Sequence, residues 1–108
     1  MARSIMPLIA LLFAIPGVAI AAGPGASLTL RDHQFEPSEL TVPAGQKIEL
    51  HITNSGAAPA EFESADLKRE KVLPGGRTVT IYVGPLRPGR YEFFDDFHPS
   101  SRGHLVAQ

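Results

Sequence analysis

Apolar residues recur at every second position along most of this chain. In QKIELHITN (46–54), Ile48, Leu50 and Ile52 fall on one side and Lys47, Glu49 and His51 on the other. That period of two marks a strand with one buried face. SLTLRDH (27–33) carries Leu28 and Leu30 on one face, RTVTIYVG carries Val79, Ile81 and Val83, and RYEFFD carries Tyr91, Phe93 and Asp95. Leu40 to Val42 and Lys71 to Leu73 read as shorter strands, and GHLVAQ as the last one. Turns are predicted in FEPSEL, at Pro43-Ala44-Gly45, in SGAAPA, at Pro74-Gly75-Gly76 and in PLRPG, where Gly and Pro interrupt the alternation. Ala60 to Arg77 is the least regular part, with one helical turn expected over Ser64 to Arg69. No long amphipathic helix and no internal repeat is predicted. Seven to eight short strands at this spacing predict an all-β, Greek-key β-sandwich.

The first residues break this pattern. MARSIMPLIALLFAIPGVAIAAG has a basic Arg3, an apolar run from Ile5 to Ile20, and Ala19-Ile20-Ala21 in the small-x-small form read by signal peptidase. A membrane anchor is the rival reading; Pro7, Pro16, Gly17 and the lack of a basic stop-transfer flank weigh against it. The expectation is a signal peptide over 1–22, one domain over 23–108, and a periplasmic location.

Cleavage there changes the composition. Of the 108 residues about 86 remain, and without Arg3 there are 9 of the 10 basic residues against 11 acidic ones, a net charge near −2. A nucleic-acid partner would need a basic face, so none is expected. The chain has no cysteine, and both methionines, Met1 and Met6, lie in the leader. The domain therefore folds without disulfides, on its core alone. Any metal it binds must be held by nitrogen and oxygen, with no thiolate or thioether.

Candidate ligands form two groups. Asp95 continues the inward series Tyr91, Phe93, and a buried carboxylate is costly unless it is paired or bound to a cation. His98 follows beyond Phe97, and His104 opens the next strand after Gly103; a strand end and a short loop can bring all three to one point. The plainer alternative is that Asp95 caps the loop and the histidines are solvated. The second group is Glu61, Glu63, Asp66 and Glu70, with Lys68, Arg69 and Lys71 interleaved, which also reads as a solvated mixed-charge loop. His33, at a strand end beside Asp32, can join a site; His51 reads as surface. No serine sits in an elbow turn, and PGGR and RPGR do not precede helices, so neither a nucleophile nor a phosphate cradle is predicted.

The stretches FEPSELTVPAGQKIELHITNSG, AEFES and GPLRPGRYEFFDDFHPSSRGHLV resemble the cupredoxin family over nearly all of Ser27 to Gln108. The resemblance implies an eight-stranded Greek-key sandwich with a metal at one end. In the family a His after the Asn-ended strand and a Cys–His–Met group on the last loop hold it. Residue by residue, the last-loop His matches His98, the Cys position falls at Asp95, the first His at or near Glu61, and the Met near Gly103 with His104 adjacent. Without the thiolate a blue copper centre is not expected.

EFESADLKREK together with FFDDFHP further resembles the periplasmic cupredoxin-like proteins associated with bacterial high-affinity iron permeases. That resemblance implies a copper or iron ion held principally by Glu61, Asp95, His98 and His104. A second, more exposed site would draw on Glu63, Asp66, Glu70, Asp96 and His33. It implies a role in iron uptake, delivering iron or helping to oxidise Fe(II) for a membrane permease; ferroxidase-type turnover would need a partner as electron acceptor. A homodimer is among the assemblies the sequence allows. The alternative function is a metal-free interaction module on the same sandwich.

Overall fold

The computed structural model describes residues 23–108; the expected signal peptide lies outside the described residues. Nine strands follow one another: β1 (Gly25–Arg31), β2 (Gln34–Glu36), β3 (Glu39–Val42), β4 (Ile48–Asn54), β5 (Ala60–Ser64), β6 (Arg69–Leu73), β7 (Thr78–Val83), β8 (Gly89–Asp95) and β9 (His98–Ala107). They form a four-stranded sheet in the order β2-β1-β4-β7 and a five-stranded sheet in the order β3-β9-β8-β5-β6. Both sheets are mixed, since β1 runs parallel to β4 and β3 parallel to β9. The expected all-β sandwich is the observed one.

Strand phase builds the core. Leu28, Ile48, Leu50, Ile52 and Val83 of the first sheet face Phe62, Leu73, Phe93 and Leu105 of the second, all essentially buried. Each such side chain contributes about 1.5–3 kcal/mol relative to leaving it in water. Phe35, Phe62 and Phe93 pack together at 4.9 to 6.5 Å between ring centroids, the separation at which edge and tilted pairs are favourable. This trio lies beneath the end of the sandwich where β8 gives way to β9, because Phe62 pairs in register with Asp95.

Three details depart from the sequence expectation. A turn is expected in FEPSEL, yet Phe35 and Glu36 belong to β2, which pairs with β1 and buries Phe35. Ser64 to Arg69 does not form a helical turn. Leu67 is buried instead, its N–H donating to the Ser64 hydroxyl at 3.0 Å, while that hydroxyl donates to the Glu92 carbonyl at 2.6 Å. The last strand begins at His98 rather than at Gly103. Three extra residues, Pro99 to Ser101, bulge from its pairing with β8, since Phe94 pairs with Arg102 and Asp95 with His98.

Candidate metal centre

Three connections meet at one end of the sandwich: the β1–β2 turn, the β4–β5 connection and the β8–β9 turn. Between them lies a cavity of about 190 Å³ whose lining includes Asp32, His33, Asn54, Ala60, Asp95 and His98.

Asp95 ends β8 with its side chain inward and only 1% exposed. Its Oδ1 accepts two backbone hydrogen bonds at 3.0 Å, from Glu61 N–H and from Phe97 N–H. The second closes the two-residue turn into β9. Its Oδ2 is buried with no hydrogen-bond partner. A buried carboxylate oxygen left in that state is costly unless a cation faces it. The nearest basic group is His98 Nδ1, at 3.6 Å, beyond hydrogen-bonding length.

His98 is half-exposed and stacks on His33, with ring centroids 4.1 Å apart and planes tilted by 36°. His33 is brought there by an uncommon turn. Asp32 and His33 both have positive φ, at 48° and 60°, between the paired Arg31 and Gln34. That is the left-handed pair of a two-residue hairpin, usually made with Asn-Gly; Asp and His tolerate it better than most side chains. The buried Ser101 hydroxyl, in the β9 bulge, donates to the His33 carbonyl and ties the two turns together. The Asn54 side chain fixes the third wall. Its Nδ2 donates to Ala58 O at 2.8 Å and Leu73 O at 3.0 Å, and its Oδ1 accepts from Gly56 N–H at 3.0 Å.

The structure thus brings Asp95, His98 and His33 to one cavity and divides the other candidates. Glu61 is not among them. Along β5 it is Ala60, Phe62 and Ser64 that point inward, so Glu61 and Glu63 lie on the outer face of the second sheet. There Glu61, Glu63 and Asp96 place carboxylate oxygens within 4.8 Å of one another, and Glu70 sits opposite Glu63 in register. A side-chain hydrogen bond with Glu70, followed by desolvation and repulsion from Glu70, Asp96 and Glu63, raises the Glu61 carboxyl from its ordinary 4.5 to about 7. Desolvation and the charges of Asp96 and Glu70 also raise Glu63.

Asp66 is apart from both groups. Its Oδ2 accepts from Glu92 N–H at 2.9 Å, completing the pairing of β8 where β5 turns away. His104 is likewise distant, on the outer face of β9 opposite Glu92, with Nε2 at 3.7 Å from Glu92 Oε2. Glu92 precedes Asp95 by three residues on the opposite face, about 10 Å along the strand. Principal ligation by Glu61 and His104 together with Asp95 and His98 therefore does not match this geometry. Nor does one outer site made of Glu63, Asp66, Glu70, Asp96 and His33. Asp32 and Ala60 are cavity residues that the sequence reading did not single out.

The sequence model of the cupredoxin-like domain family matches residues 4–107. The chain belongs to the cupredoxin-like domain family. An uncharacterized protein of Rickettsia prowazekii is 41% identical over 81 residues, 74% of this chain and 65% of that protein. The chain thus spans just under two thirds of that relative's length. Among solved structures, auracyanin A, a "blue" copper protein of Chloroflexus aurantiacus, aligns with a TM-score of 0.67 and 19% identity, over 80% of this chain and 100% of that one. A purple cupredoxin from Nitrosopumilus maritimus aligns at 0.63 and 18%, over 77% and 99%. Amicyanin from Paracoccus versutus aligns at 0.61 and 14%, over 80% and 83%. At these identities the likeness is one of fold.

As a cupredoxin-like domain the chain is unusual at the cavity. It has no cysteine, so it cannot form a blue copper centre. Glu61, at or near which the resemblance puts the family's first histidine, points away from the cavity, and its neighbour Ala60 is what β5 presents there. The Met position, expected near Gly103, is filled by core packing: a Cβ on Gly103 would come within 2.6 Å of the Phe93 ring and 2.8 Å of Ser38 O. What the cavity does offer is a buried carboxylate oxygen beside two imidazole rings, nitrogen and oxygen donors with no sulfur; among the described residues the group of three whose ligand atoms all lie within 4.8 Å of one another is Glu61, Glu63 and Asp96 on the outer face.

Proposed function

We propose that this is an exported, periplasmic metal-binding protein of iron uptake that holds a copper or iron ion at Asp95, His98 and His33. It would deliver iron, or help to oxidise Fe(II), for a membrane permease. The observation that carries the metal site is the buried Asp95 Oδ2, without a hydrogen-bond partner, beside the stacked imidazoles of His98 and His33. The family membership and the copper named in the auracyanin A structure support a metal at this end of the fold. The all-nitrogen-and-oxygen donor set favours a harder or exchangeable ion over a tightly held blue copper. Iron and the permease rest on the resemblance of EFESADLKREK and FFDDFHP to the iron-permease-associated proteins.

Within the site each residue has a defined part. The Asp95 carboxylate is aimed by its two backbone hydrogen bonds, which leave Oδ2 for the ion. His33 is held by its turn and by Ser101. His98 sits half-exposed at the mouth, where a ligand that can swing away suits exchange with a partner. A bound copper would supply a one-electron couple.

Calorimetric titration of the metal-free protein with Cu(II), Fe(II) and Fe(III) tests the assignment, alongside Asp95→Asn, His98→Ala and His33→Ala. Binding of at least one ion, lost or weakened in all three variants, is expected. No binding of any ion rejects the proposal, and binding untouched by the variants moves the site elsewhere. A metal-free interaction module is the second reading, favoured by the absence of cysteine from the chain and by a cavity wall of Ala57 to Ala60 that carries no side-chain donor.

A further inference from the structure

The cavity at the end of the sandwich is anionic on two sides and apolar on a third. Its lining includes two carboxylates, Asp95 and Asp32, and neither lysine nor arginine. Asp95 is buried and leaves Oδ2 without a hydrogen-bond partner. His98 Nδ1, at 3.6 Å, makes no hydrogen bond to that oxygen, so a stronger donor has none to displace there. Asp32 is exposed, on the β1–β2 turn at the rim. Ala57, Ala58 and Pro59 form an exposed apolar wall, and the hydrogen bonds of the Asn54 amide to Ala58 O, Leu73 O and Gly56 N–H hold it in place. The 190 Å³ between them is several times the share of one water molecule, about 30 Å³.

We propose that this cavity receives a guanidinium group, an arginine-type cation whose aliphatic stem lies on the alanine and proline wall. The inference goes beyond the proposed metal site and does not depend on it. A guanidinium is planar, always charged, and carries five N–H donors in a fixed fork. It can therefore meet two carboxylates at different depths, Asp95 within and Asp32 at the rim. It stacks on aromatic faces, which His33 and His98 supply in the same lining. It is also more weakly hydrated than an ammonium, which favours it beside a buried oxygen. Desolvation usually offsets much of the gain from such a pair. Here folding has already taken Asp95 Oδ2 out of water, so that cost falls on the ligand alone. The open mouth suits a group that enters on a stem, because the stem can rest on Ala57, Ala58 and Pro59 while the charged end reaches inward.

The test uses the protein freed of metal with a chelator, and Nα-acetyl-arginine amide as the probe. Amide shifts followed by two-dimensional NMR should move saturably at Ala57, Ala58, Ala60 and Phe97. Nα-acetyl-citrulline amide, equal in shape but uncharged, should leave them in place. Asp95→Asn should abolish the response. Asp32→Asn should weaken it about tenfold, the equivalent of one charge-assisted hydrogen bond. Asn tolerates the left-handed backbone of position 32, so this variant serves if the first does not fold. A blocked Gly-Gly-Arg-Gly-Gly peptide separates the sources: tighter binding than the single residue assigns the group to a partner protein's side chain, and weaker binding assigns it to a free small molecule. No shift at these residues overturns the inference and leaves the metal site, which is tested with the ions themselves, standing. An equal response to citrulline, or one unaltered in folded variants, overturns it too.

Discussion

The two oxygens of Asp95 do different work, and substitutions can separate them. Oδ1 satisfies the N–H groups of Glu61 and Phe97, and Oδ2 faces the cavity. Asp95→Ala strands both N–H groups and is expected to cost about 1–3 kcal/mol in urea denaturation. Asp95→Asn keeps an acceptor at the turn, so its midpoint should lie well above that of Asp95→Ala, while metal binding is lost in both. Equal destabilisation by the two would show that the turn bonds do not carry the stability of this end. His33 offers the reverse trade. Two non-glycine residues at positive φ are strained. Replacing Asp32-His33 by Asn-Gly should stabilise the fold by about 1 kcal/mol and remove the ring stacked on His98. A variant that is destabilised would mean that the His33–His98 contact outweighs the backbone strain.

At the level of the strand, β5 and β9 show what was legible. The inward phase of β4, β7 and β8 could be read directly from alternating aliphatic and polar residues, and it placed Asp95 correctly in the interior. In β5 the same signal was available: Phe62 lies between two glutamates, so Ala60 and Ser64 share its face and Glu61 does not. A displacement of one residue reverses the face of a strand, which is why a family position assigned only "at or near" Glu61 missed the cavity. His104 is the same case, since Leu105 and Ala107 turn inward and force it outward. The turn that presents His33 was not legible, because its sequence lacks the glycine that usually marks a left-handed pair. In β9, a Cβ added at Gly103 would strike the Phe93 ring and the Ser38 carbonyl. Gly103→Ala should cost about 1–3 kcal/mol by overpacking. A neutral result by thermal or urea unfolding would show that the Phe93 ring can move aside and that β9 is not pinned there.

Across the whole molecule, a core without disulfides leaves stability open to smaller terms, and the acidic face of the second sheet supplies one that depends on pH. Glu61 titrates near 7 in the folded protein against an ordinary 4.5, chiefly through its hydrogen bond with Glu70. Between those values the folded chain holds a proton that the unfolded chain releases. The contribution to stability is thus fully present below about 4.5 and is lost as pH rises through about 7. Glu63 is shifted in the same direction and adds to the slope. The packing of four carboxylates on β5, β6 and the β8–β9 turn therefore costs stability at neutral pH and costs little in acid. Glu61→Gln removes the titrating group while keeping a side chain that can hydrogen-bond to Glu70. Urea midpoints measured from pH 4.5 to 8 should fall with rising pH in the parent and fall less steeply in the variant, which should be the more stable of the two at pH 8. Parallel profiles would mean that the carboxylates relax apart into solvent and that the face carries no stored repulsion.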